Sequence, residues 1–135
     1  MNYEDIRTAQ YYTSMLRSHL SFFEDDSKEA LVDRLGAAFG CVSFIRVPLF
    51  DFIEARYGLD MDVEDAPEGS YSAKLSEVLS SISMKTWNLR AKWLEQPIEK
   101  LKENLTEADN IASSLPYLIS ALEAGEDDNY VNIKG

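Results

Sequence analysis

The sequence predicts an all-α protein: a bundle of four to five kinked helices with an acidic loop and a short C-terminal tail. Four segments carry apolar residues at three- and four-residue spacing, the repeat of helices that pack one face on a core. Hydrophobic residues make up 45% of the 135-residue chain, enough to bury the core of one domain. We therefore expect a single bundle domain over residues 1–124 and a polar tail over residues 125–135.

The first segment, residues 3–23, follows the helical repeat through Ile6, Leu16 and Leu20. Asn2 is a favourable N-cap residue, and two carboxylates in the first turn suit the positive end of the helix dipole. We expect this helix to end in the acidic stretch at residues 24–27.

The second segment has the strongest repeat and is predicted to form one helix as far as Tyr57, ended by Gly58. Pro48 should kink it, because proline lacks the amide hydrogen and clashes with the preceding turn. A strand over residues 41–47 is the rival prediction, since Val, Ile and Phe are abundant there. Helix is favoured because one apolar repeat continues through both halves: Leu31, Leu35, Ala38, Val42, Ile45, Leu49 and Ile53.

Residues 60–70 form the acidic loop, in which carboxylates surround a proline and a glycine. A long helix is predicted to start near Tyr71, to be capped by Ser70, and to be bent or divided in two by Pro97. This helix bears two apolar lines whose combined arc exceeds half its circumference. We therefore expect it to be central in the bundle or covered in part by a second subunit.

Residues 106–109, Thr-Glu-Ala-Asp, resemble a capping box and predict the start of the last helix. Pro116 implies a kink or a restart within that helix, with a nearby serine as the new cap. Gly125 is expected to end the helix, because glycine readily takes the left-handed conformation that follows a helix end.

The charge distribution narrows the classes of partner. The chain has 24 acidic and 13 basic residues, a net charge of −11. Residues 70–105 carry a net charge of +2 and both flanking regions are strongly acidic. The negative net charge of the chain argues against direct binding to nucleic acid or to an anionic membrane, since phosphate contacts need a basic surface. The acidic N-terminus is unlike a signal peptide, so a cytoplasmic location is expected.

Catalytic and metal-binding residues are few. A nucleophile–base pair that uses histidine must combine His19 with Cys41, the single residues of their kind. Both have apolar or small neighbours, which favours a packing role. The alternate carboxylates that begin at Asp60 fail as an EF-hand, because Asp65 and Tyr71 occupy the positions that need glycine and glutamate. We expect no catalytic residue, no cofactor and no metal.

Two groups of residues are the candidates for binding a partner. The first is the carboxylates of the loop, at Asp60, Asp62, Glu64, Asp65 and Glu68. The second is Arg90 with Trp87 and Trp93, because arginine and tryptophan are enriched at interfaces. Arg46 also falls among apolar residues, and both a buried ion pair and a stem that reaches out to water are compatible with its position.

The predicted function is that of a non-enzymatic interaction module, of the inhibitor, immunity or accessory-subunit type. Its acidic surface would bind a basic partner protein, and closely spaced carboxylates could take the places of phosphates in a nucleic-acid-binding groove. The alternative is a homo-oligomeric structural helical protein. A third hypothesis is a small enzyme that uses carboxylates or the Cys41–His19 pair.

Overall fold

The computed structural model describes residues 2–59 and 66–129. Over these residues the chain forms five helices of nine residues or more and one single-turn helix, with no strand. The helices are α1 (Tyr3–Leu20), α2 (Lys28–Tyr57), α3 (Tyr71–Thr86), α4 (Arg90–Leu94), α5 (Ile98–Ala112) and α6 (Leu115–Glu123), followed by a 3-10 helix at Glu126–Asn129. The prediction of an all-α bundle is confirmed.

Helix α1 begins as predicted, because the Asn2 side chain accepts a hydrogen bond from the Glu4 amide at 2.9 Å. It ends at Leu20, three residues earlier than the repeat suggests. Ser21 has extended backbone angles, φ −80° and ψ 136°, and both its amide and its hydroxyl donate to the Arg17 carbonyl. These two bonds satisfy a carbonyl that the end of the helix would otherwise leave without a partner.

Helix α2 continues without interruption through residues 41–47, so the helix prediction there is confirmed and the rival strand is wrong. The Ser27 hydroxyl caps its start by accepting from the Ala30 amide at 3.1 Å. Gly58 ends it at φ 73°, a left-handed conformation that glycine adopts without a steric penalty. Pro48 lies within the helix and is buried.

Helix α2 is antiparallel to α1. The ring centroids of Tyr3 and Phe52 are 5.7 Å apart, and those of Tyr12 and Phe44 are 5.0 Å apart, which fixes the direction of α1 against α2. Helices α1 and α3 each contact α2, α5 and α6, so the core lies between these five. Its largest fully buried side chain is that of Phe52.

Helix α2 is long and apolar enough to cross a membrane when judged by length and composition alone, with a mean hydropathy of 1.5 over its most apolar 18-residue window. In the bundle, one side of this helix supplies core residues such as Leu35, Ile45 and Ile53. Only 44% of that window is buried, however. Much of the apolar character of α2 is therefore not used by the core.

The segment predicted as one long helix from Tyr71 is divided twice, where the sequence indicated a single break at Pro97. Helix α3 starts at Tyr71 with Ser70 as its cap, as predicted, but it ends at Thr86. Trp87 is extended, with φ −75° and ψ 126°, and Pro97 occupies the N-cap position of α5. The short helix α4 lies between these breaks and contributes Trp93 to the core.

The capping-box prediction at residues 106–109 is wrong, because α5 runs through these residues. The buried line Leu101, Leu105, Ala108 and Ala112 continues across the predicted boundary, so one apolar face spans it. The two carboxylates of the motif pair with other helices, Glu107 with Lys85 and Asp109 with Arg17. The restart near Pro116 is confirmed, since α6 begins at Leu115.

Candidate functional site

The 3-10 helix at Glu126–Asn129 returns the start of the predicted polar tail to the bundle. Asp127 is fully buried. One of its carboxylate oxygens accepts from the Tyr71 amide at 2.7 Å, and the other accepts from the Ser72 amide at 2.8 Å and the Ser72 hydroxyl at 2.6 Å. A carboxylate at the first turn of a helix is stabilised by amides that lack partners within the helix and by the helix dipole. Asp127 therefore fixes the start of α3.

The neighbouring Asp128 fixes the end of α2 in the same way. Its carboxylate accepts from Arg56 Nε at 3.1 Å and Nη2 at 2.8 Å, and from the Tyr57 hydroxyl at 2.8 Å. These bonds, that from Arg56 above all, lower the pKa of Asp128. Burial, followed by the hydrogen bond to Asp128, raises the pKa of Tyr57 to about 12. The Arg56 fork and the carboxylate meet in a bidentate geometry, which is the strongest form of this pair.

Asp127 and Asp128 together hold both ends of the 58–70 connection, which carries the predicted acidic loop. We call these two residues and their partners Arg56, Tyr57, Tyr71 and Ser72 the tail clamp. Of the loop carboxylates, Asp60, Asp62, Glu64 and Asp65 lie outside the described residues. Glu68 is exposed, close to the point where α3 begins.

A groove of about 440 Å³ lies along α3 beside this connection. Its polar lining consists of the carboxylates of Glu68 and Glu77 and of three serine hydroxyls, and its apolar lining of two alanines and Met84. Arg46 borders the groove, since its guanidinium lies 3.4 Å from the Ser80 hydroxyl. Arg46 is half-buried, lies over the Phe50 ring at 5.7 Å, and forms no ion pair among the described residues. Its Nε is buried and has no hydrogen-bond partner in the same part of the chain.

The second predicted group, Arg90 with the two tryptophans, is separated by the break before α4. Arg90 and Trp87 are exposed, and Arg90 pairs with Asp33 of α2. Trp93 is 6% exposed and belongs to the core, and its indole N–H is buried without a hydrogen-bond partner among the described residues. The structure therefore leaves Arg90 and Trp87 on the surface and places Trp93 inside the bundle.

A third surface was missed by the reasoning from the sequence. Tyr12 of α1 stacks on Phe44 of α2, and Tyr11, Phe39 and Val47 are further exposed apolar residues of these two helices; we call these five residues the aromatic face. Phe44 is 57% exposed and Val47 60% exposed, although Phe44 stacks on the Tyr12 ring at an interplanar angle of 22°. The signal that could have found this face is the absence of any charge between residues 35 and 45 on every side of the helix.

A group of carboxylates without ion pairs among the described residues lies where α1 begins and α2 nears its end. At the start of α1 and the end of α2, Asp5 lies near Asp51 and Glu4, and burial together with these two carboxylates raises its pKa. None of these three carboxylates forms an ion pair among the described residues. At the other end of α2, Asp33 is paired with Arg90.

Cys41 and His19 show no arrangement for catalysis. Cys41 is buried, and burial raises the pKa of its thiol, which lowers the fraction of reactive thiolate. No hydrogen bond joins Cys41 to His19 in the part of the chain that is described. Over the same part, no group of three or more His, Cys, Asp or Glu side chains could hold a metal ion.

Comparisons with models of protein families, with curated proteins and with solved structures find no match to this chain. Its function has to follow from its own geometry, charge and exposed surface.

Proposed function

We propose that this protein is a non-enzymatic interaction module that binds a basic partner protein through the carboxylates of the 58–70 connection and the adjoining groove. We call this the acidic surface: Asp60, Asp62, Glu64, Asp65, Glu68 and Glu77. The observation that carries the proposal is the tail clamp, in which the carboxylates of buried Asp127 and exposed Asp128 hold both ends of a segment rich in acidic residues.

The tail clamp favours binding because it fixes the two points between which the carboxylates are carried. Asp128 holds Tyr57 and Asp127 holds Tyr71, so the ends of the connection belong to the rigid bundle. A binding segment that is anchored before it meets its partner loses less conformational entropy on binding. The five carboxylates of the connection would then be carried between two fixed points.

The groove supplies the matching chemistry for a basic side chain. Glu68, Glu77 and the hydroxyls of Ser76, Ser80 and Ser81 offer hydrogen-bond acceptors, while Ala73 and Met84 offer apolar contact. Lysine and arginine combine an apolar stem with a charged donor head, so they match both parts of this lining. The positive charge of Arg46 at the edge favours an approach from the side of Glu68.

The net charge of −11 supports the same class of partner. A strongly acidic protein attracts a basic one over several ångströms and raises the rate of association at low salt. A nucleic-acid-binding protein is one such partner, because carboxylates at close spacing can occupy positions meant for phosphates. An inhibitor, an immunity protein and an accessory subunit all meet this description.

Neutralisation with a charge-matched control tests the proposal. In the test variant, the five loop carboxylates Asp60, Asp62, Glu64, Asp65 and Glu68 become Asn or Gln. In the control, five exposed carboxylates far from the groove are neutralised: Asp25, Glu29, Glu95, Glu99 and Glu103. Both variants have a net charge of −6, five fewer negative charges than the natural chain.

A lysine- and arginine-rich peptide serves as the probe, and its binding is followed by calorimetry at several salt concentrations. We expect the test variant to lose most of its affinity and the control to lose little. Equal losses in the two variants would mean that only net charge matters, and the proposed site would then be wrong.

A further inference from the structure

The aromatic face is an unpartnered surface on the most apolar helix of the protein. Phe44 and Val47 project from α2, and Tyr11 and Tyr12 extend the surface onto α1, where the Tyr11 and Tyr12 rings meet edge to face at 5.1 Å. Exposed apolar surfaces of this kind mark sites of association when they are contiguous and bounded by polar residues. The bounding charges here are Asp33 near one end of α2 and Asp51 near the other.

Two glycines add a recess to this face. A Cβ atom placed on Gly36 or on Gly40 would meet nothing within 4 Å, so packing within the chain does not require glycine at either position. Glycine within a helix lowers helix stability relative to alanine. Its effect on the outer surface is to let another helix approach closely, because the distance between packed helices depends on the side chains at their contact.

The exposed Phe44 ring and the recess at Gly40 lie at positions of α2 that are self-complementary. Asp33 and Asp51 bound the face, and the midpoint between them is residue 42. A two-fold axis at that level, with α2 antiparallel to α2 of a second copy, sets Phe44 of one chain opposite Gly40 of the other. The Phe44 ring of each chain then meets Gly40 of the other chain. The contact therefore occurs twice in the interface, as two-fold symmetry requires.

The charges at the two ends of the face fit the same arrangement. Arg90 pairs with Asp33 and its side chain is 54% exposed, so its guanidinium can donate to a second carboxylate. The antiparallel pairing places Asp51 of the second copy at this level. Asp51 has no ion pair among the described residues and lies near Asp5 and Glu4, so a basic group from a second chain would relieve their repulsion. A parallel pairing would bring the two acidic ends together instead.

We propose that the aromatic face is the interface of a two-fold symmetric homodimer, in which α2 packs antiparallel on α2 of a second copy and Arg90 pairs with Asp51 of that copy. The occupant is a second copy because α2 carries both the exposed Phe44 ring and the Gly40 recess, while Arg90 of α4 supplies the basic group at one end and Asp51 the acidic group at the other. The dimer goes beyond the proposed function, since the acidic surface lies on the 58–70 connection and α3. Each dimer would present two acidic surfaces.

The first test is the mass of the full chain in solution, by sedimentation equilibrium over a wide range of concentration. We expect a reversible approach to twice the 15.3 kDa monomer mass. Gly40→Leu fills the recess from a Cβ position that meets nothing within 4 Å in its own chain. It should raise the dimer dissociation constant more than about tenfold while the monomer stays folded. Tyr117→Lys, at an exposed residue of α6 away from α2, is the control and should leave the mass unchanged.

Charge reversal then tests the orientation. Arg90→Glu and Asp51→Arg should each weaken the dimer, and the double variant should restore it, because the same pair is rebuilt with its charges exchanged. A wild-type chain that stays monomeric at millimolar concentration would overturn the proposal. So would a monomer that binds phosphatidylcholine–phosphatidylglycerol vesicles through the same face. The five-carboxylate variant of the acidic surface should still dimerise, so failure of the proposed function and failure of the dimer are separate results.

Discussion

The carboxylate of Asp127 is hydrogen-bonded to Ser72 twice, to its amide at 2.8 Å and to its hydroxyl at 2.6 Å. Both residues are fully buried, and they are 55 positions apart in the chain. A residue near the C-terminus therefore completes the first turn of a helix in the middle of the sequence. This relationship links the stability of the bundle to the end of the 58–70 connection.

Replacing Asp127 should destabilise the fold. Asp127→Ala leaves the Tyr71 amide and the amide and hydroxyl of Ser72 without their acceptor, in a place that water does not reach. Hydrogen bonds to a charged group and the cost of burying unpaired donors suggest a loss of about 3 kcal/mol in the free energy of unfolding. Urea denaturation followed by circular dichroism measures this loss. Glu126→Ala, at the exposed neighbouring position, should change the unfolding free energy by less than about 0.5 kcal/mol.

Part of this architecture could be predicted from the sequence and part could not. The repeat through α2 predicted one helix over residues 41–47, and the cap at Ser70 predicted the start of α3, because both signals lie within a few residues of the feature they specify. The break at Trp87 has no such local signal. The Glu107 and Asp109 pairs that compete with the capping box come from distant helices.

The residues of the candidate site also divide into those that residue type could identify and those that it could not. Trp87 and Arg90 could be named as candidates from residue type, whereas the role of Asp127 depends on a contact across 55 residues. Trp93 was named for its residue type, and the structure buries it because α4 turns as a separate unit. Residue type identified the candidates, but only packing could decide which of them reach the surface.

The ionisation of Tyr57 should make the protein sensitive to alkaline pH. Its pKa is raised to about 12 by burial and then by the hydrogen bond to Asp128, so the folded state favours the protonated phenol. An unfolded tyrosine ionises near pH 10. The stabilisation is therefore complete below about pH 10 and is lost as the pH rises towards 12. Denaturant unfolding between pH 9 and 12 should show this loss in the wild type and a smaller one in Tyr57→Phe, and identical pH profiles would contradict the assignment.

The tail clamp also predicts a sensitivity to acid. The pKa of Asp128 is lowered, first by the hydrogen bond from Arg56 and then by that from Tyr57. A depressed pKa gives a stabilisation that is present above the unfolded pKa, about 4, and is lost as the pH falls through the folded value. Asp128→Asn should flatten the fall in unfolding free energy below pH 4. If the unfolding free energy of this variant falls below pH 4 as steeply as that of the wild type, other carboxylates account for the fall.

Cys41 should react slowly with a thiol reagent in the native protein. Its side chain is buried and burial raises its pKa, so both access and the fraction of thiolate are reduced. Labelling with an aromatic disulfide should proceed to completion only after denaturation.

Cys41→Ala and His19→Ala should leave peptide binding nearly unchanged once each variant is shown to be folded. If the biological activity of either folded variant fell by orders of magnitude, the result would instead support the enzyme hypothesis.

The link between the tail clamp and the acidic surface can be tested without changing any charge. Arg56→Lys keeps the positive charge but loses the planar fork that meets both oxygens of Asp128. If the clamp prepares the acidic surface for binding, this variant should bind the basic peptide several-fold more weakly. The association rate should stay close to that of the wild type, because long-range attraction depends on net charge, and the dissociation rate should rise.

The matched control for this variant is Arg34→Lys, which alters the pair with Asp26 at the opposite end of α2. It also conserves charge, and it should leave both rates unchanged. Stopped-flow measurements at low and at moderate salt separate the two rates. A slower association in Arg56→Lys, or equal effects in the two variants, would mean that the clamp holds the fold together without shaping the acidic surface. A faster dissociation confined to Arg56→Lys would tie affinity to the hydrogen bonds that join Asp128 to the end of α2.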